Sequence, residues 1–208
     1  MKEAQLTAAG IVTDVIEGNN LNKVFQKYSQ ENKINPKDIS QIKDLVFGTL
    51  RSYGKTKFVI NKLVKRMPSN TLILSLLHVA LFQLISNRSN SYTVVDQAVS
   101  ASNMINKRHT KFVNGVLRAF LREKVSILEK AEKIDEAKYS YPIWWINLIK
   151  NEYPKSWNNI LDIGNSHPPL IIRVNIKKGS ISNYIQKLEK HNIEHLYLGM
   201  EAILIKKP

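Results

Sequence analysis

Cysteine is absent from this 208-residue sequence. Without thiols there is no disulfide, no cysteine-ligated zinc or iron–sulfur centre and no cysteine nucleophile. Glycine is scarce: there are eight, no two closer than six positions. A glycine-rich phosphate loop, a Walker motif or a dinucleotide fingerprint therefore has nowhere to form, and no S-adenosylmethionine site is evident. Long apolar runs are missing too. The most apolar stretch, Thr71 to Ser86, contains Ser75, His78 and Gln83 and falls short of the roughly 20 apolar residues a membrane span needs. It reads as a buried core helix. The N-terminal MKEAQLTAAGIVTD has one lysine and includes Glu3 and Gln5, so it lacks the basic start and apolar block of a signal peptide. No membrane partner is expected, and the expected location is the cytoplasm.

Acidic residues are also missing from a long region, with none between Asp44 and Asp96. The whole chain carries 31 Lys plus Arg against 17 Asp plus Glu, a net charge of +14. Residues 51–124 hold thirteen basic and two acidic residues, so most of the excess lies there. A run of charge is ordinarily a solvated face. Here the bias is regional, and acids are missing where Glu–Lys pairing would normally place them. A polyanionic partner, nucleic acid, is the preferred reading. Charge alone does not separate RNA from DNA.

Proline and tryptophan are unevenly spread. All three tryptophans and five of the seven prolines lie after residue 139, which puts a domain boundary at 137/138. Before it, apolar residues recur at three and four. Ala8, Ile11, Val12, Val15 and Ile16 mark a first helix and Leu21 to Ser29 a second. Asn35-Pro36 is a helix start, continued by Ile39, Ile42, Leu45, Val46 and Leu50. Phe58, Val59, Leu63 and Val64 mark a fourth, and Ser69 is able to cap the fifth, 71–86. Val94, Val95, Ala98, Val99 and Met104 give a sixth, and Phe112, Val113, Val116, Leu117, Phe120 and Leu121 a seventh. The expected fold class is mainly α: an all-α bundle (1–137), extended by the charged EKAEKIDEAKYS, then a small α+β domain (138–208). That second part reads as short helices at 142–150 and 156–164, a strand over LIIRVNI, an amphipathic helix from Ser180 to Lys190 with Ile181, Tyr184, Ile185 and Leu188 inward, and strands in IEHLYLG and AILIKK.

Few residues suggest chemistry. His191-Asn192-Ile193-Glu194-His195 fits the metallopeptidase string H-x-x-E-H, which needs both histidines and the acid on one helix facing a metal. The helix should end near His191, so a helix C-terminus leading into a strand is preferred. His78, among Leu76, Leu77, Val79 and Leu81, reads as a hydrogen-bonded core histidine. Gln83 is a buried polar group in need of a partner. Trp144-Trp145 would either stack bases or pack a short helix, and packing is preferred because Ile143, Ile146 and Leu148 accompany them. Neither catalytic nor metal-binding residues are expected.

DLVFGTLRSYG (44–54), LILSLLHVALFQLI (72–85), YTVVDQAVSAS (92–102) and KFVNGVLRAFLRE (111–123) occur in that order and resemble the NusB-like RNA-binding fold, a bundle of roughly seven helices. Phe112 to Arg118 is the most specific piece. Asn114 and Gly115, poor helix formers, would serve a close helix contact there, as would Gly48. The continuation resembles the Sun/RsmB family, S-adenosylmethionine-dependent methyltransferases acting on C5 of a cytosine in 16S rRNA. Pro142, Trp144, Tyr153, Pro154, Trp157, Pro168, Pro169, Arg173 and Asn175 match by position. The family's catalytic domain, with its glycine-rich cofactor site and two cysteines, would begin after AILIKKP. This chain alone is therefore expected to bind no cofactor and transfer no methyl group, with S-adenosylmethionine implied for the full-length protein.

The resemblance implies 16S rRNA as partner. The candidate RNA-binding residues are Arg51, Lys55, Lys107, Arg108, Lys111, Arg118, Arg122 and Arg173. Arg118 would alternatively brace its own bundle. Arg173, mid-strand, reads equally as a phosphate ligand or the partner of an acid. Residues 139–208 are expected to pack against the bundle as a spacer that also helps grip RNA, anchored by Trp144 and Trp157. The alternative functions are a NusB-type transcription antitermination factor, against which the 139–208 extension argues, and a helical protein-interaction domain.

Overall fold

A computed structural model describes residues 2–31, 36–87, 89–166 and 168–206. Its contacts divide the chain into two compact units, Met1–Asp162 and Ile163–Pro208.

The first unit opens with seven helices, the number the resemblance implies. They are α1 (Lys2–Ile16), α2 (Leu21–Glu31), α3 (Pro36–Arg51), α4 (Tyr53–Leu63), α5 (Thr71–Ser86), α6 (Ser91–Ile105) and α7 (Thr110–Ala131). Asn35, expected to cap α3, lies outside the described residues. Asn70, not Ser69, caps α5: its extended backbone lets Oδ1 accept from the Ile73 N–H at 3.1 Å. At the other end Asn87 turns left-handed (φ 54°) and stops the helix.

Apolar on every side, α5 must be buried on every side. Ile73, Leu77, Leu81 and Leu84 join Val59 and Ile60 of α4, Val94 and Ala98 of α6, and Val113, Leu117 and Phe120 of α7. Leu76 and Val79 join Ala8, Ile11 and Val12 of α1 with Ile42, Leu45 and Val46 of α3. Burying each such aliphatic side chain contributes about 1.5–3 kcal/mol. Met104, expected in this core, is instead exposed in the last turn of α6.

The charged segment after α7 is helical but broken, restarting as α8 (Asp135–Tyr139), before α9 (Ile143–Glu152) and α10 (Trp157–Asn165). A third cluster joins Tyr139, Ile146, Ile149 and Leu161, with Tyr141, Trp145 and Trp157 half-buried against it. Trp157 is thus an anchor of this cluster, and Tyr139 meets its ring edge-on at 5.3 Å. Trp144 is not an anchor: it is 65% exposed.

Three glycines permit close packing, and a Cβ on Gly10 would meet the Tyr28 hydroxyl of α2 at 2.7 Å. A Cβ on Gly48 would enter the Phe82 ring, and one on Gly54 would meet the Glu136 carbonyl oxygen of α8 and the Cα of Ser140, which caps that helix. Gly115 does not share this role, since a Cβ there meets nothing within 4 Å. Nor does Asn114 reach across helices; its Oδ1 accepts from Arg118 Nε, one turn on, at 3.0 Å.

The second unit contains β1 (Leu170–Arg173), α11 (Ile181–Lys190), β2 (His195–Gly199) and β3 (Ala202–Ile205). The antiparallel sheet runs in the order β1-β3-β2. Met200 and Glu201 both have positive φ (45° and 68°), the backbone that a tight two-residue hairpin demands. Ser180 caps α11, its Oγ accepting from the Asn183 N–H at 3.2 Å. Leu188 packs with Val174, Ile203 and Ile205, and Ile181 and Ile185 flank them. Tyr184, expected inward, lies outside this group and is exposed.

Candidate nucleic-acid interface

The folded chain sorts the eight candidate basic residues into three groups. Lys107 and Arg108 lie on a short 3-10 turn, Lys107–His109, that leads into α7. Asn106 fixes this turn, its Oδ1 accepting from the Arg108 N–H at 3.0 Å. Lys111, Arg118 and Arg122 follow on α7 at spacings of seven and four, which keeps them on one helix face. All five side chains are exposed. Among the described residues none of the five has an ion-pair partner.

The second group lies at the α3–α4 junction. Arg51 is exposed, with its guanidinium carbon 6.0 Å from the Phe47 ring centre. Lys55 is committed to Glu132 at 2.7 Å and is only partly exposed. Glu132 follows the last residue of α7 and Lys111 is its second, so at 1.5 Å rise per residue Lys55 is roughly 30 Å along the axis from Lys111. By the same rise Arg122 is roughly 15 Å from Glu132, so Lys55 lies beyond the Arg122 end of the first group. Arg173 belongs to the second unit. Its side chain is 81% exposed, and its Nε donates to Glu201 Oε2 at 2.9 Å.

Beside the first basic group, α6 and α7 enclose a groove of about 710 Å³ lined in part by Tyr92, Asp96, Asn114, Arg118 and Arg122. Tyr92 is 77% exposed. Its backbone is held by Asn90, whose Oδ1 accepts from the Tyr92 N–H at 2.9 Å. Charge counting does not single out Tyr92. The available signal was an aromatic side chain off the apolar stripe of Val94, Val95 and Ala98.

The histidine string is divided between a helix end and a strand. Helix α11 ends at Lys190, His191 caps it, and Asn192 is left-handed, so His195 is on a strand and not on the helix face the metallopeptidase string requires. The described residues contain no group of three His, Asp or Glu able to hold a metal. His78 is buried, with Nδ1 2.7 Å from Thr56 Oγ1 and its ring stacked on Tyr53 at 4.5 Å. Burial first, then the nearby Lys57 charge, lower its pKa to about 4. It is a neutral core residue. The tryptophan pair splits: Trp145 packs, while Trp144 stands exposed and meets Trp145 edge-on at 5.6 Å. No helix among the described residues is long and apolar enough to cross a membrane.

This helical bundle is one that other proteins share. Residues 2–122 match the NusB family, and the chain belongs to it. Residues 141–208 match the ferredoxin-like domain of RsmF/B-like methyltransferases, and the chain is homologous to the N-terminal part of RsmB-type 16S rRNA methyltransferases. It is 34% identical over 90% of its length to the probable ribosomal RNA small subunit methyltransferase B of Coxiella burnetii, covering 46% of that protein. It is 33% identical over 89% of its length to ribosomal RNA small subunit methyltransferase B of Yersinia pestis, covering 44%. The chain thus spans about half the length of the curated relatives it matches. Among solved structures, the crystal structure of PH0851 shares the fold, with a TM-score of 0.61 at 18% identity, covering all of this chain and 49% of that one.

Proposed function

We propose that this chain is the RNA-binding part of an S-adenosylmethionine-dependent 16S rRNA cytosine-C5 methyltransferase, and that it positions the rRNA for methylation. In this reading residues 1–137 are the main RNA-binding part, and 138–208 precede the catalytic domain. The observation that carries it is the cluster Lys107, Arg108, Lys111, Arg118 and Arg122, five exposed cations without ion-pair partners among the described residues. Unpaired surface cations are what phosphate contacts need, and such contacts set register rather than sequence. The relation to small-subunit rRNA methyltransferases makes rRNA the preferred polyanion. Arg51 adds to the field. Lys55 and Arg173 would first have to leave Glu132 and Glu201.

Chemistry is left to the part of the relatives that this chain does not match. Gly10, Gly48 and Gly54 pack against Tyr28, Phe82 and the α8 backbone, while Gly18, Gly115, Gly179 and Gly199 stand alone in open space. These seven glycines build no cradle for S-adenosylmethionine. The ferredoxin-like match over 141–208 weighs against the alternative of a transcription antitermination factor.

The test is RNA binding as a function of salt, with Lys107→Glu, Arg108→Glu and Lys111→Glu combined. Affinity should fall across all RNA sequences, and the log–log salt slope should shrink by about 2–3. Unchanged affinity would remove this face from the interface.

A further inference from the structure

We propose that the α6–α7 groove holds one unpaired nucleotide of the RNA, its base stacked on Tyr92, an amino group of that base directed to Asp96, and its phosphate gripped by Arg118 and Arg122. This rests on the RNA-binding reading above and specifies the kind of RNA: single-stranded, with an amino-bearing base at this position.

The groove, about 710 Å³, is lined from both helices by repeating positions. Tyr92 and Asp96 are four apart on α6; Asn114, Arg118 and Arg122 are successive fours on α7. Each set therefore stands on one face of its helix, one residue above the next. A tyrosine 77% exposed to water contributes little to folding. The Asn90 cap nevertheless fixes its backbone at the first turn of α6, so the ring projects from a rigid base. Exposed aromatic faces beside basic side chains are how proteins hold single strands, because every base has a π-face and duplex bases are not free to stack.

The electrostatics give the rest. Arg118 is preoriented by its Nε–H bond to Asn114 Oδ1 at 3.0 Å, an intrahelical contact that leaves the terminal guanidinium nitrogens uncommitted. Among the described residues neither arginine is ion-paired with Asp96. A carboxylate beside two cations without a salt bridge is an acceptor available to a ligand. A polyanion reaches it only if it presents a donor there, and the exocyclic amino group of cytosine, adenine or guanine is such a donor. Uracil has no amino group; its one base donor is the ring N3–H, set between two carbonyl oxygens that a carboxylate repels. A basic peptide fits less well, since two arginines oppose it and one aspartate attracts it.

The experiment measures binding of the whole chain to oligo(C), oligo(U) and an RNA duplex by fluorescence anisotropy. The wild type should prefer oligo(C) to oligo(U). Tyr92→Ala should weaken single-strand binding about tenfold and change duplex binding by less than about twofold. Tyr92→Phe, which keeps the ring, should recover most of the loss, and Asp96→Asn should erase the preference for cytosine. Tyr92 is exposed enough for these variants to fold, which a thermal melt checks. The charge-reversed triple at Lys107, Arg108 and Lys111 separates the two readings. If it weakens single strands and duplex alike while Tyr92→Ala changes neither, the groove proposal falls alone, and a protein segment becomes the groove's occupant. If the triple has no effect, the RNA-binding face itself is wrong and the groove proposal falls with it.

Discussion

The side-chain amide of Gln5 in α1 donates to Oε1 of Gln83 in α5 at 2.6 Å, joining two buried polar groups 78 positions apart. Gln5 Oε1 has no partner of its own. The pair ties the first helix to the central one at a stated register. Gln83→Leu should leave the buried Gln5 amide only its long 3.4 Å bond to the Val94 carbonyl and cost about 1–3 kcal/mol. Replacing both glutamines by leucine should cost clearly less than the sum of the two single changes, because no polar group is then left unsatisfied. Urea unfolding of the two single variants and the double variant measures this.

Lys124 is one of the thirteen basic residues of the 51–124 region, yet it holds the fold together. Its Nζ donates to the Leu84 carbonyl and to Asn87 Oδ1, each at 2.6 Å, satisfying acceptors at the open C-terminus of α5. Lys124→Met should lower stability by about 1–2 kcal/mol. Chemical denaturation should show the shift at unchanged m-value.

Gly54 and Gly115 should respond oppositely to alanine. At Gly54 the new methyl would run into α8 backbone, which cannot swing aside as a side-chain end does, and a loss of about 1–3 kcal/mol is expected. At Gly115, mid-α7 and facing open space, alanine should add about 0.5–1 kcal/mol through helix propensity. Thermal melts of the two variants should move in opposite directions.

His78 should make stability depend on pH. Its folded pKa of about 4 lies below the ordinary 6.5, so as pH falls the unfolded chain takes up the proton first. Its contribution is intact above pH 6.5, is lost progressively between 6.5 and 4, and is constant below that. The full loss is roughly 3 kcal/mol. His78→Gln, which keeps a hydrogen-bonding side chain, should lack this part of the slope when unfolding free energy is followed across that range.

The helices were legible because apolar residues repeat at three and four, and α5 because its run is too polar for a membrane and too apolar for a surface. Adjacent tryptophans were harder. Neighbours on a helix point about 100° apart, so Trp145 faces the cluster and Trp144 cannot. Gly115 is as odd for a helix as the sequence suggested, but its surroundings are a matter of tertiary structure. Net charge located the basic region without saying which cations are spent. Glu132 lies 77 positions from Lys55 and Glu201 lies 28 from Arg173, and pairings at such range leave no local pattern. The groove was missed for the same reason, since α6 and α7 must first pack before Tyr92 and Arg118 share a wall.

The sheet order β1-β3-β2 gives the last strand the central place. Among the described residues β1 and β2 do not pair with each other; each pairs with Ala202–Ile205. Ile203 and Ile205 are also half of the buried set that includes Leu188 of α11. During synthesis, then, the second unit waits: until the final strand has emerged, two strands and an amphipathic helix have no template and no floor. The helical unit, complete by Asp162, can fold well before that, and a ribosome stalled just short of Ala202 would carry a finished bundle with an unfolded tail.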